Sequence, residues 1–191
     1  FYLAPIISPL SLLGLMPLLT LGIGVAATLL VIALKWIIVG RYRPRVEPLW
    51  SVFVRRSELI TALYEAVVVP SLLGLLTGTP WIAPVLRLFG AHIGRRVWLD
   101  TTYLTEFDLV EVGDDAAIGD TTSLQTHLFE DRVMKMSTVK IGAASSIGSR
   151  SVVLYDAEVG PGATLDSLSL AMKGEILPAG SRWRGIPARS I

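Results

Sequence analysis

An aliphatic residue recurs at every sixth position through most of the second half of this chain. The residues with this spacing are Ile93, Leu99, Val112, Ile118, Leu124, Ile141, Ile147, Val153, Val159 and Leu165. A period of six fits neither an α-helix nor an alternating strand. It is typical of a solenoid, in which each coil buries one aliphatic residue per face and stacks on the next coil. Three such faces per coil would form a triangular prism.

The repeat changes phase twice, and glycines mark its corners. Glycine directly follows several of the periodic residues, as in Gly113 and Gly119, which suits a tight corner where the backbone approaches closely. Extra residues must leave the coil between Leu99 and Val112, and again between Leu124 and Ile141. The sequence therefore predicts a parallel β-helix over residues 89–191 with two insertions.

The N-terminal part of the chain is apolar enough for a membrane. No charged residue occurs from Phe1 to Leu34, a run longer than the roughly 20 residues that span a bilayer, so we predict a transmembrane helix within residues 1–40. The alternative is a buried core helix. Basic residues follow the run, and the positive-inside rule then puts the β-helix on the cytoplasmic side of the cell membrane. These basic residues are Lys35, Arg41, Arg43, Arg45, Arg55 and Arg56.

Residues 41–88 are harder to assign. The segment is apolar, but it contains Glu58 and Glu65 and is interrupted by Pro70 and Gly74. Charges and helix breakers favour an interfacial or re-entrant helical linker over a second full span, which stays open as an alternative. The chain begins with Phe rather than Met, so we expect it to be part of a longer protein.

Composition and missing motifs remove several function classes. The net charge of +1 gives no case for nucleic acid, and the chain has no Cys for disulfide, zinc or nucleophile chemistry. It has no phosphate-binding loop, no dinucleotide-binding glycine motif and no nucleophile elbow. We therefore expect neither ATP chemistry nor covalent serine catalysis in this segment, and no metal site.

His127 is the leading candidate for catalysis, because it lies in the second insertion. A histidine in a loop that projects from a β-helix can act as a general base in acyl transfer, removing a proton from an attacking amine or hydroxyl. A carboxylate usually orients such an imidazole, and Glu130 or Asp131 could supply it. The alternative is a surface histidine without a role. His92 lacks comparable neighbours and is interpreted as structural.

The region around His127 is strongly acidic. From Val97 to Asp131 there are nine carboxylates and no Lys or Arg, which predicts a negative field that attracts cations. Asp108 and Glu111 flank an apolar pair and, with Glu106, are the candidates to bind a cationic substrate. The alternative is a solvated acidic surface with some aspartates at turn corners.

The C-terminal residues Gly185–Arg189, GIPAR, resemble the G-x-P-A-[KR] ending of hexapeptide acyltransferases. In that family the region closes the last coil and lines the groove for the pantetheine arm. The resemblance implies that Trp183, Arg184 and Arg189 contact the arm and its phosphate; the alternative is a plain cap. The predicted fold class is all-β, a left-handed parallel β-helix of hexapeptide repeats preceded by a transmembrane helix and interfacial helices.

Longer motifs carry a more specific resemblance. TEFDLVEVGDDAAIGD, LQTHLFEDRVMKM and LSLAMKGEILPAGSRWRGIPA resemble the C-terminal part of ε-poly-L-lysine synthetases and related membrane-bound non-ribosomal peptide synthetases. Members join basic amino acids, using a carrier domain with a phosphopantetheine arm and tandem acyltransferase-like domains between membrane helices. The resemblance implies that this chain is the last membrane segment and last tandem domain, with His127 as the base.

The implied reaction is amide formation between a lysine-type aminoacyl thioester on the carrier and an amine of a free amino acid or growing polymer. The implied partners are the carrier domain, the other tandem domains, the cationic polymer and the membrane. Two alternatives stay open. The domain could be a non-catalytic scaffold that completes an intramolecular pseudo-trimer, or an independent CoA-dependent acyltransferase.

Overall fold

A computed structural model describes residues 9–191 of the chain. The first helix is Pro9–Ile38, and residues 1–8 of the predicted transmembrane segment lie outside the described part. The helix is capped by Gly40, which has a positive φ of 74° and whose N–H donates to the carbonyl of Lys35. Large apolar side chains such as Leu13, Ile23 and Leu30 are exposed along it.

The second helix is continuous from Val52 to Leu76, so the predicted break at Pro70 and Gly74 is wrong. It begins at Ser51, whose Oγ accepts a hydrogen bond from the Val54 N–H. Its middle, Tyr64–Leu73, is π-helical. The wider π turn accommodates a proline that has no N–H to donate, because the hydrogen-bond pattern is already shifted there.

The two long helices pack as an antiparallel hairpin. A Cβ atom at Gly24 would lie 2.5 Å from the Ser71 carbonyl oxygen, so only glycine permits this approach. At the other end of the pair, the Tyr42 hydroxyl lies 3.2 Å from Ser57 Oγ. Both helices are long and apolar enough to cross a membrane, judged by length and composition. A third helix, Ile82–Phe89, leads into the repeats.

The repeats form a parallel β-helix with three faces. The first face contains His92–Ile93, Val110–Val112, Val139–Ile141, Glu158–Val159 and Ile176–Leu177. The second face contains Trp98–Leu99, Ala117–Ile118, Ser146–Ile147, Thr164–Leu165 and Arg182–Arg184, with Arg189–Ser190 added antiparallel at its end. The third face contains Ser123–Gln125, Val152–Leu154 and Leu170–Ala171, extended by a bridge between Leu104 and Leu124.

The periodic aliphatic residues are all buried in one continuous core, as the sequence predicted. They stack in register: Val112 pairs with Ile141, Ile118 with Ile147, and Leu124 with Val153. The series continues beyond the predicted stretch to the buried Ala171 and Leu177. Ala171 was not recognised in the sequence as part of the series, because the repeat was defined by the larger residues Ile, Leu and Val.

Both phase changes mark insertions. The first insertion holds the short 3-10 helix Phe107–Leu109. The second is a hairpin of His127–Glu130 and Val133–Met136. The strand Arg45–Pro48, from the segment between the long helices, pairs antiparallel with Val133–Met136. The second insertion is therefore tied to the helical hairpin.

The helices cover the first coil of the β-helix. Tyr64, Phe89 and Phe107 form an aromatic cluster with ring centroids 4.6–5.6 Å apart. The Tyr64 hydroxyl donates to the Thr102 carbonyl at 2.9 Å, and the Gly78 N–H donates to the Leu99 carbonyl at 2.9 Å. The predicted class of all-β is wrong for the chain as a whole, because 35% of it is helical and the helices share the core.

Candidate active site

His127 lies where the chain leaves the third face. It is the first residue of the inserted hairpin, one position after the buried Thr126, and its side chain is 17% exposed. Its ring meets the edge of Phe129, with centroids 5.2 Å apart. The imidazole is thus held by the fold but still reaches the surface of the adjoining cavities.

The partner of His127 is Glu106, which comes from the first insertion. His127 Nδ1 lies 2.7 Å from Glu106 Oε2. The Thr105 and Thr126 hydroxyls each donate to the same oxygen at 2.7 Å, and Ser57 Oγ donates to Oε1 at 3.2 Å. Glu106 is buried and has a left-handed φ of 42°, a conformation that non-glycine residues rarely adopt. These hydrogen bonds fix the carboxylate in place.

The environment of Glu106 keeps it ionised. Burial would raise the pKa of this carboxyl, but the hydrogen bond and charge of His127, with the bonds from Thr126 and Thr105, hold the pKa below its ordinary value. An ionised carboxylate can only accept a hydrogen bond, so Nδ1 carries the hydrogen and donates it to Glu106. In the neutral imidazole, Nε2 is then an acceptor. Among residues 9–191, no side chain or backbone group bonds to Nε2. The pair has the arrangement of a general base and its orienting acid.

Two cavities meet at His127. The larger, of about 570 Å³, lies between the second helix and the third face, a size suited to a small ligand. Its lining comprises Thr61, Glu65, Val69, Thr102, Tyr103, Leu104, Thr105, Ser123, Leu124, Gln125 and His127. A smaller cavity of about 220 Å³ lies on the hairpin side and shares Thr61, Glu65 and His127 with the larger one.

Glu130 and Asp131, the predicted orienting carboxylates, do not contact His127. Lys173 Nζ lies 2.7 Å from Glu130 Oε1, and Lys135 Nζ lies 3.1 Å from Asp131 Oδ2. Glu130 is directed elsewhere because it is at the far end of the strand that His127 begins. That prediction is corrected: Glu106 orients the imidazole, and Glu130 attaches the hairpin to a later coil.

Asp108, a predicted substrate-binding residue, is buried and bonded to other parts of the fold. Lys35 Nζ donates to Asp108 Oδ2 at 2.6 Å, and the Tyr42 N–H donates to the same oxygen at 3.1 Å. The two charged side chains are only 0% and 3% exposed, respectively. Asp108 therefore joins the first helix to the first insertion and is not free to bind a substrate.

The remaining predicted residues lie apart from the His127 cavities. Glu111 is exposed on the first face beside Lys140, so it does not share a site with Glu106. Trp183 packs against the end of the core and donates from Nε1 to Ser181 Oγ, and Arg184 pairs with Asp166. Arg189 is exposed on the closing strand. None of the three C-terminal residues lines either His127 cavity, and their contact with pantetheine stays a prediction.

Sequence reasoning missed Glu106 as the partner of His127 and missed Glu65 altogether as a lining residue. A positional signal for Glu106 existed. It follows Leu104 by two residues, as Thr126 follows Leu124, and those leucines stack in adjacent coils. Within residues 9–191, no group of three or more His, Cys, Asp or Glu side chains is arranged to hold a metal ion.

Comparison with known proteins gives one close sequence relative and a structural likeness. No protein-family model matches the chain. It is 48% identical over 177 residues, 92% of its length, to the δ-poly-L-ornithine synthetase of Acinetobacter baumannii, and spans 13% of that protein. A maltose O-acetyltransferase from Clostridium difficile superposes with a TM-score of 0.52 at 18% identity, covering 64% of this chain and 82% of the other.

A hexapeptide-repeat acetyltransferase from Vibrio cholerae gives a weaker likeness, with a TM-score of 0.48 and 14% identity over 62% of this chain and 85% of its own. The Clostridium structure establishes that the repeats have the left-handed β-helix fold of hexapeptide acetyltransferases. The resemblance to poly-amino-acid synthetases that the motifs predicted is confirmed.

Proposed function

We propose that this chain, which is similar to a segment of δ-poly-L-ornithine synthetase, is the part of a poly-amino-acid synthetase that acts as an acyltransferase domain and forms amide bonds. The donor would be a basic aminoacyl thioester on the phosphopantetheine arm of a carrier domain. The acceptor would be an amine of a free amino acid or of the growing polymer. The observation that carries this proposal is the His127–Glu106 pair. Nδ1 is bonded to Glu106, no group within residues 9–191 bonds to Nε2, and the histidine lines a cavity of ligand size.

The chemistry follows from the geometry of that pair. The acceptor ammonium first loses one proton to solvent, and its nitrogen attacks the thioester carbonyl carbon while His127 Nε2 takes a second proton. The C–N bond forms, the C–S bond breaks, and the imidazolium returns its proton to the departing thiolate. Glu106 stabilises the transient imidazolium through the bond at Nδ1. The products are an amide and a free thiol.

The thioester is a substrate that another domain delivers, so this segment needs no resident cofactor. Trp183, Arg184 and Arg189 remain the residues proposed to meet the pantetheine arm. Pairing of Arg184 with Asp166 at 2.8 Å leaves Arg189 as the better candidate for the phosphate, because its side chain is exposed and no charged partner is recorded for it within residues 9–191.

Membrane association would come from the helical hairpin. The first helix exposes large apolar side chains along most of its length, from Leu13 to Ile37. The second helix and the turn after it contact the β-helix domain along their length: Ser57 bonds to Glu106 in the first insertion, and Tyr64 and Gly78 bond to the first coil. These contacts favour a position along the domain at the membrane surface over an independent span. Two experiments test this topology. The first is membrane fractionation of the first helix alone and of the hairpin, and the second places glycosylation tags between the two helices and beyond Leu76. Glycosylation of tags beyond Leu76 would contradict it, as would glycosylation of tags in the segment between the helices, because both are expected on the cytoplasmic side.

The function is tested by replacing His127 with Ala in the complete synthetase. Aminoacyl loading of the carrier should stay normal while polymer formation falls by roughly 10²-fold to 10⁴-fold, the usual contribution of a general base. His92→Ala is the matched control, because His92 lies on the first face, outside both His127 cavities. Full polymer yield from the His127 variant would sink the proposal and leave the domain as a scaffold.

A further inference from the structure

We infer that Glu65 binds the distal ammonium group of the amine substrate and so selects cationic acceptors. The inference rests on the proposed function, since it places the acceptor in the cavities that His127 lines. Glu65 belongs to the second helix and borders both of these cavities. The sequence pattern favoured other carboxylates as substrate-binding groups, but those carboxylates do not line the larger cavity.

The position of Glu65 on its helix directs it toward the site. Thr61, Glu65 and Val69 are four residues apart, so they occupy one face of the helix, and all three line the larger cavity. Thr102–Thr105 and Ser123–His127 form the opposite wall. An acceptor in this space would lie between a proton-accepting nitrogen and a carboxylate.

The charge of the cavity favours a cation. Glu65 is the only Asp or Glu in the lining of the larger cavity, and this lining includes no Lys or Arg. The other acid beneath the site, Glu106, is already bonded to His127. No group within residues 9–191 hydrogen-bonds or pairs with the Glu65 carboxylate, so its charge is available to a ligand. Glu65 is exposed to the cavity side of the helix, and an ammonium–carboxylate hydrogen bond is among the stronger polar contacts.

Glu58 provides an internal comparison. It lies on the same helix and borders the smaller cavity, but Arg55 Nη1 lies 2.9 Å from its Oε2 and neutralises it. A cation in the site would therefore gain less from Glu58 than from Glu65. The two glutamates separate the effect of a specific unpaired carboxylate from that of general negative charge on the helix.

The test uses the full synthetase with its carrier loaded by the native aminoacyl group, and three acceptors that each contain four carbons. These are 1,4-diaminobutane, butylamine and 4-aminobutyrate, which end in an ammonium, a methyl and a carboxylate. Glu65→Gln should raise the half-saturating concentration of diaminobutane roughly tenfold or more. The maximal transfer rate and the response to butylamine should change little. Glu65→Lys should shift the preference toward 4-aminobutyrate.

Three results would overturn the inference: an unchanged preference for diaminobutane in both Glu65 variants, an equal loss with butylamine, or an equal loss in Glu58→Gln. His127→Ala, measured in the same assay, separates this inference from the function on which it rests. If transfer persists in that variant while Glu65→Gln still loses selectivity, the base role fails and the acceptor site stands. If His127→Ala abolishes transfer and Glu65→Gln keeps the wild-type preference for diaminobutane, the base role stands and the acceptor site fails.

Discussion

Replacing Asp108 with Ala should open the junction between the first helix and the β-helix, without a specific effect on amine binding. The substitution removes both acceptor contacts at Oδ2, from Lys35 Nζ at 2.6 Å and from the Tyr42 N–H at 3.1 Å. The Lys35 side chain is 0% exposed, so its charge would remain buried. Only the Trp36 ring, 3.5 Å from Nζ, and the more distant Tyr42 ring would still face it.

The size of the effect follows from this burial. Breaking a buried ion pair by removing one partner costs about 3–5 kcal/mol. At about 1.4 kcal/mol per tenfold change, this corresponds to a loss of roughly 10²-fold to 4 × 10³-fold in hydrogen-exchange protection. The double variant Lys35→Met with Asp108→Leu should regain most of the protection, because apolar residues of similar size often replace a buried pair at little cost.

Hydrogen exchange, followed by mass spectrometry on the membrane-reconstituted protein, measures this loss of protection directly. The amides to follow are those at the end of the first helix and in Val110–Val112, with Glu158–Val159 as a distant internal control. The reasoning would be refuted by unchanged protection in the Asp108→Ala protein. It would also be refuted if that variant selectively weakened amine binding with the junction intact, since Asp108 would then face the substrate.

The other predictions concern the acid–base pair and the helical hairpin. Glu106→Gln should slow amide formation roughly 10²-fold with normal carrier loading, because a neutral amide cannot stabilise the imidazolium of His127. Glu130 bonds to lysines and not to His127, so Glu130→Gln should retain near-normal rates in the same transfer assay. Similar rates in both variants would contradict the pairing. Gly24→Ala should lower the melting temperature in detergent, since the new methyl meets a carbonyl oxygen at 2.5 Å; Gly22→Ala, with nothing within 4 Å, should not, and equal melting of the two would refute the close packing.

The β-helix was predictable because its signal is local and repeated. Ile118 and Ile147 lie far apart in sequence but obey the same period, and coil stacking brings them into one ladder. The insertions were visible as changes of phase. Their contents were less predictable, because the fold of an insertion depends on what it packs against. The second helix shows a related limit: Pro70 reads as a breaker, but a π-helical stretch accommodates it.

At the candidate site, the sequence drew attention to the histidine but not to the carboxylate that bonds to it. His127 stood out by its place in the insertion, whereas Glu130 and Asp131 were chosen for being near it in sequence. The actual partner, Glu106, is 21 residues away and is brought near by the stacking of one coil on the next. Asp108 was misassigned for the same reason, since its partner Lys35 is 73 residues distant, in another element. Contacts between elements that the repeat does not relate, such as Lys35 with Asp108, carry no signal in a single sequence.

The most direct test of the account follows the thioester rather than the polymer. The synthetase is loaded with its amino acid, freed of ATP, and mixed with acceptor amine, and intact-protein mass spectrometry records how long the aminoacyl group stays on the carrier. With His127→Ala, the thioester should persist roughly 10²-fold or more longer than in the wild-type protein, and it should still turn over when a small thiol is added. Discharge to the amine at the wild-type rate would contradict the role of the His127–Glu106 pair.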